Sequence, residues 1–291
     1  MRGRNRRRLP LAAAAIACAL AALASPDARS QWPHDVFKET PPAQMPVRPG
    51  EALAKTKEAT AHTGPLVYLR DIDPTILQDM RYAGPDNFTG RRVPGYGAPE
   101  CMLLRGAAEA LSRVQKSLLP RKLSLKVYDC YRPRRAVRAF VEWVKDDVSG
   151  TDPLLKRFHP FTERSRLIML GYVAAVSRHS HGDTVDLTLV QLPAKPASPF
   201  KRDARYGACT GPAKDRAPDT SVDMGTGYDC FDPLSHTGAT GITPAQRRWR
   251  KILVGAMAQQ GFRNYAKEWW HFTLVRPHPG RSFNVPILPR K

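Results

Sequence analysis

The stretch Ser177-Arg178-His179-Ser180-His181-Gly182-Asp183-Thr184-Val185-Asp186-Leu187-Thr188-Leu189 runs from a turn into a strand. Val185, Leu187 and Leu189 alternate with polar residues, the period of a strand that has one face on a core. Gly182 supplies the backbone freedom for a turn, and such a turn brings His179 and Asp186 to one point. His181 would compete with His179 if the segment were extended, since residues two apart then share a face.

Leu123, Leu125 and Val127 alternate with Ser124, Lys126 and Tyr128 and predict a second strand, and residues 271–275 predict a third. Helical stripes are formed by Ala107, Leu111, Val114 and Leu118, and by Ala136, Val137, Phe140, Trp143 and Val144. Thr243-Pro244 gives an N-cap and first-turn proline to a third helix through Trp249, Leu253, Ala256 and Met257, which Gly261 closes. Helices and strands do not alternate regularly, so the expectation is a single α+β domain over residues 65–291, with a central antiparallel sheet flanked by helices. Residues 191–226 turn polar and rich in Pro and Lys, which predicts a long loop pinned at Cys209 and Cys230.

The remaining segments concern export. Arg2, Arg4, Arg6, Arg7 and Arg8 precede an apolar run over residues 9–23, which ends in small residues. This is the pattern of a secretory signal peptide over residues 1–24, too short in its apolar part to span a bilayer. Residues 25–64 lack a sustained apolar period and read as a linker or flexible arm. The expected location is therefore periplasmic or secreted, with no membrane span in the mature form. The 291-residue chain carries 46 Lys+Arg against 26 Asp+Glu, a net charge of +20, of which the five leader arginines account for 5 and leave +15. No nucleic-acid-binding motif accompanies that charge, and attraction to anionic cell-wall polymers is the expected use. Four cysteines remain once Cys18 leaves with the signal. In an oxidising compartment they predict two disulfides, and the shorter loops favour Cys101 with Cys130 and Cys209 with Cys230.

The chemistry concentrates in two places. Glu268-Trp269-Trp270-His271 follows Asp186 by 82 residues and adds an imidazole and a carboxylate to His179 and Asp186. Two imidazoles and one carboxylate suit catalytic zinc, which takes three N/O protein ligands and keeps a fourth position for water. With His179, Asp186 and His271 as ligands of one Zn2+ per chain, Glu268 is left as the base that accepts the water's proton. Arg132, in Tyr128-Asp129-Cys130-Tyr131-Arg132-Pro133, is the candidate donor to an oxyanion, because a guanidinium stays charged and offers a rigid fork. The alternative for Arg132 is a solvated basic patch shared with Arg134 and Arg135.

Ser177-x-His179-x-x-Gly182-x-x-x-Asp186, Glu268-Trp-Trp-His271 and Tyr131-Arg132-Pro133, with Asp86-Asn87-Phe88-Thr89-Gly90 upstream, give the chain a resemblance to the D-alanyl-D-alanine dipeptidases of the VanX type. The similarity runs from about residue 66 to 273. It implies a fold related to D,D-carboxypeptidases and the hedgehog domain, zinc on His179, Asp186 and His271, Glu268 as base and Arg132 as the arginine of the transition state. It also implies a free D-Ala-D-Ala substrate, split into two D-alanines in a small closed pocket. Asp223, in Asp223-Met-Gly-Thr226, resembles a segment that pairs with the dipeptide's ammonium group. Ser177 either hydrogen-bonds substrate or caps its turn, and Trp269 with Trp270 either walls the pocket or packs in the core. Thr184 departs from a usually smaller residue, and the leader departs from the cytoplasmic setting of the best-known members. The rivals are a zinc D,D-carboxypeptidase trimming stem peptides and a non-catalytic wall-binding module; Glu268 argues against the latter, which has no use for a base.

Overall fold

Residues Thr184–Gln191 form the central strand of a five-stranded sheet, in agreement with their alternation. The computed structural model describes residues 65–146, 153–196, 198–275 and 280–290. The expected signal segment and arm, residues 1–64, lie outside the described residues. In chain order the main elements are β1 (Leu66–Tyr68), β2 (Leu77–Gln78), β3 (Met102–Leu104), α1 (Arg105–Leu118), β4 (Leu123–Asp129), α2 (Arg134–Lys145), β5 (Thr184–Gln191), α3 (Pro244–Ala258), β6 (Phe262–Asn264) and β7 (His271–Leu274). The sheet order is β2-β4-β5-β7-β6, and β1 pairs with β3 apart from it. Every pair is antiparallel except β2 with β4, so the expected antiparallel sheet carries one short parallel edge strand.

Val185, Leu187 and Leu189 are fully buried on one face of β5, where α3 packs, while α1 lies against β4 and touches α3. The predicted stripe of α1 is buried throughout, and Gln115 shares its face because its amide serves Thr75, Ser124 and the Leu125 N–H. At the start of α3, Thr243 and Gln246 form a reciprocal capping box with Pro244 in the first turn. Gly261 ends the helical segment at φ +85°, a conformation glycine adopts without strain.

Thr184, Asp186 and Thr188 point to the opposite face and are also buried. The predicted stripe of α2 contributes Phe140 and Trp143 to an aromatic cluster with Tyr82, Phe88 and Phe231. Residues 192–243 contain no strand among the described residues, yet they are more than a surface loop. Val222, Met224, Tyr228 and Phe231 enter the core, and Val222 N–H donates to Leu189 O at 2.9 Å. Disulfides join Cys101 to Cys130 and Cys209 to Cys230, the pairing that the shorter loops favour. Among the described residues no helix is long and apolar enough to cross a membrane.

Candidate metal centre

Strand register places the first two polar groups. Asp186 stands opposite His271 on β7, and opposite Asp129 on β4 as well. A bulge at Tyr128 makes the second pairing: Val127 faces Leu187, and one extra residue then brings Asp129 abreast of Asp186. His179 arrives from the single helical turn Arg178–His181, which Gly182 closes at φ +77°. A Cβ on Gly182 would stand 2.5 Å from Leu66 and 3.3 Å from the Leu104 amide nitrogen, so both space and backbone conformation demand glycine there.

The three groups converge. His179 Nε2 and Asp186 Oδ1 are 3.3 Å apart, His271 Nδ1 and Asp186 Oδ1 3.1 Å, and the two imidazole nitrogens 3.2 Å. His179 Nδ1 donates to the Cys130 carbonyl at 2.7 Å, which leaves the lone pair on the inward-facing Nε2. Burial pushes the His271 imidazole down towards its neutral form. Burial alone would raise the Asp186 carboxyl, but the two imidazoles outweigh it and hold the group below the usual carboxylate range. Asp186 Oδ1 is nevertheless buried without a hydrogen bond. Bonds of about 2.0–2.2 Å from a tetrahedral ion would separate such ligand atoms by roughly 3.3–3.5 Å. The observed triangle is close to that size, and its donor set of two nitrogens and one oxygen fits a divalent metal.

Glu268 Oε2 lies 3.5 Å from His271 Nδ1, and burial, then Asp186 and Asp229, raise its pKa well above the ordinary glutamate value. Arg132 donates from Nε and Nη2 to Asp129 Oδ2 at 2.9 and 2.8 Å, and its Nη2 is 3.6 Å from Asp186 Oδ2. Its guanidinium is sandwiched against the rings of Tyr82 and Phe140, 5.2 and 5.0 Å from their centroids, rather than solvated with Arg134. These groups border a cavity of ≈ 220 Å³, which Ser177, Tyr172, Phe88 and Trp270 also line. Ser177 makes no capping hydrogen bond with its side chain, although it stands at the N-cap of the Arg178–His181 turn.

Three expectations need correction or resolution. His181 turns away from the cluster towards Arg281 O, at 2.9 Å, and does not join the ligand set. Asp223 does not reach the cavity: it accepts from Gly225 N–H, Arg216 and Gln246, tying the long loop to the start of α3. Trp269 is likewise absent from the cavity wall, because its indole N–H is committed to Thr226 Oγ1 at 2.8 Å. Asp223 and Trp269 instead line a separate cavity of ≈ 70 Å³. The wall beside the cluster is Trp270, the other member of the pair.

The carboxylate of the long loop's end that does line the main cavity, beside Asp186 and Glu268, is Asp229, 5% exposed, held at φ +54° and accepting from Tyr82 OH at 2.7 Å. Burial, then the Asp186 charge, push it up to about 8. Its neighbour Tyr228 places its hydroxyl 3.0 Å from Asp186 Oδ2. The sequence carries one hint of both residues, their adjacency to Cys230, which pins that segment.

Comparison with known proteins identifies the family. The chain matches the M15 peptidase family, described as D-ala-D-ala dipeptidase, over residues 62–195 and 215–286. It is 36% identical over 226 residues to a D-alanyl-D-alanine dipeptidase of Streptomyces coelicolor, covering 77% of this chain and 99% of the relative. A D-alanyl-D-alanine dipeptidase of Enterococcus faecalis is 35% identical over 223 residues, 76% of this chain and 97% of its own. One from Escherichia coli is 28% identical over 212 residues, 73% of this chain and 86% of its own. The matched residues include every group that borders the main cavity, and the chain belongs to the M15 peptidase family of D-Ala-D-Ala dipeptidases.

Proposed function

We propose that this protein is an exported, zinc-dependent dipeptidase that hydrolyses D-alanyl-D-alanine and related small D-dipeptides to free D-amino acids. The observation that carries the reading is the convergence of His179 Nε2, Asp186 Oδ1 and His271 Nδ1 beside an unliganded carboxylate, Glu268, at the wall of one cavity. His179, Asp186 and His271 would hold the ion. Zinc bound there lowers the pKa of a water towards about 7 and polarises a carbonyl.

The other residues have roles that follow from their positions. Glu268 accepts a proton from the water that attacks the scissile carbonyl carbon, and delivers it to the amine nitrogen as the C–N bond breaks. Arg132, fixed by Asp129, supplies a charged donor for the oxyanion. Asp229, a buried carboxylate in the wall, is placed to take the dipeptide's ammonium group, and Ser177 has its hydroxyl available to substrate. At ≈ 220 Å³ the cavity is smaller than the roughly 300–1,000 Å³ of sites for drug-sized ligands, which favours a dipeptide over a longer chain. Two disulfides between buried cysteines support folding in an oxidising compartment, and thus export.

The test is metal analysis of the purified protein together with hydrolysis of D-Ala-D-Ala and of a stem pentapeptide ending in D-Ala-D-Ala. Zinc near one per chain and turnover of the free dipeptide are expected. Efficient release of only the terminal D-alanine from the pentapeptide would instead make the protein a D,D-carboxypeptidase.

A further inference from the structure

We infer that Tyr228 is a positioning residue that fixes which oxygen of Asp186 faces the metal. The inference rests on the reading of His179, Asp186 and His271 as ligands. The two Asp186 oxygens differ in their surroundings: Oδ1 lies between the imidazole nitrogens with no hydrogen bond, whereas Oδ2 has the Tyr228 hydroxyl at 3.0 Å. The terminal torsion of an aspartate is soft, so either oxygen can be turned inward unless something distinguishes them. Arg132 does so only weakly, because its Nη2 is 3.6 Å from Oδ2 and is already committed to Asp129 at 2.8 Å.

Tyr228 is equipped for the task. Its ring stacks on Tyr128 at 4.5 Å and 21°, and meets Trp270 edge-on at 5.5 Å. Two residues beyond Tyr228, Cys230 is bonded to Cys209. The Tyr228 hydroxyl also lies 3.3 Å from that of Tyr82, whose own proton goes to Asp229 Oδ2 at 2.7 Å. Tyr228 has one proton to give, and the nearer, ionised carboxylate is the stronger acceptor. The hydrogen bond therefore runs from Tyr228 to Asp186.

Removing an outer partner of a metal ligand weakens binding about 10–100-fold. Tyr228→Phe deletes only the oxygen and keeps the ring stack. Zinc dissociation constants are measured for the apoproteins by competition with a chromophoric chelator, alongside their thermal unfolding and the visible spectrum of the Co2+ form. Tyr228→Phe should bind zinc about 10–100-fold more weakly and shift the Co2+ bands. Tyr128→Phe, which removes a hydroxyl from the same stack without touching Asp186, should bind as wild type. Wild-type affinity in Tyr228→Phe, or equal weakening in Tyr128→Phe, overturns the inference while the metal reading stands. A wild-type protein that fails to bind zinc overturns the metal reading itself.

Discussion

Asp186 on β5 and His271 on β7 occupy one rung of the sheet, and their inward atoms Oδ1 and Nδ1 are 3.1 Å apart. Two of the three positions in the cluster are thus set by strand register, and a one-residue slip would turn one of them to the other face. The third member of the cluster, His179, is oriented by the carbonyl of Cys130, which directly follows β4. Three neighbouring strands therefore share the centre, which gives it the rigid support a metal site needs.

Separating ligand from base is the first requirement. Glu268→Gln should retain zinc while lowering turnover about 10²–10⁴-fold, the usual worth of a general base. His271→Ala should lose the metal. Metal content and dipeptide hydrolysis on the same preparations decide the matter, and near-normal turnover in Glu268→Gln would refute its role.

The two loop carboxylates make a second contrast. Asp229→Asn should impair hydrolysis of D-Ala-D-Ala and leave slow cleavage of its N-acetyl derivative, which has no ammonium group, almost unaltered. Asp223→Asn should leave the ratio of the two substrates as in wild type and lower the unfolding temperature, because Asp223 accepts from Arg216 and Gly225 within the loop and from Gln246 of α3. The reverse outcome would restore Asp223 as the ammonium partner.

The convergence of His179 and Asp186 was legible in the sequence because spacing carries it: a glycine turn followed by an alternating strand leaves them few other arrangements. The stripes of α1 and α2 were legible for the same reason. Tyr228 and Asp229 sit in a segment without any period, where orientation is decided by a disulfide, a positive φ and a stack on Tyr128. Asp223 and Asp229 lie six residues apart in that same irregular run, so nothing local separates the one that faces the cavity. Trp269 and Trp270 precede β7 rather than lying within it, and alternation could not say which faces inward. The bulge at Tyr128 likewise leaves no mark in the alternation of β4.

Cys130 joins stability to the candidate metal centre. The double variant Cys101→Ala, Cys130→Ala should lose about 2–5 kcal/mol of stability. It should also bind zinc more weakly, because the carbonyl that holds His179 Nδ1 belongs to Cys130. Chemical denaturation and chelator competition measure the two effects separately. Lost stability with undiminished zinc affinity would show that the carbonyl keeps its place without the bond.

With the proposed leader removed the chain would carry a net charge of +15, which predicts sedimentation with isolated cell-wall material. Such attraction between exposed charges is screened within about 10 Å at 0.1 M salt, so retention should fall as salt is raised. Binding that persists unchanged at high salt would exclude this electrostatic origin.

Asp219 supplies a pH test that does not involve the metal. Its Oδ1 accepts from Lys126 at 2.6 Å, and its Oδ2 from Arg81 at 2.8 Å and Tyr128 at 2.7 Å. Burial would raise its pKa, but Lys126 and then Arg81 prevail and hold the carboxyl below the ordinary aspartate range. A folded-state pKa below the unfolded value of about 3.9 contributes stability that is complete above that value and is lost as pH falls towards the folded one. Asp219→Asn should therefore be less stable than wild type by about 1.5–3 kcal/mol near neutral pH, the worth of a hydrogen bond to a charged group. That difference should narrow below about pH 4, where the wild-type carboxylate begins to take up its proton in the unfolded chain. Urea unfolding of both proteins across this range measures it. A difference independent of pH would assign the effect of Asp219 to shape rather than charge, and the anchor it provides to the Tyr128 hydroxyl would then be the part that matters.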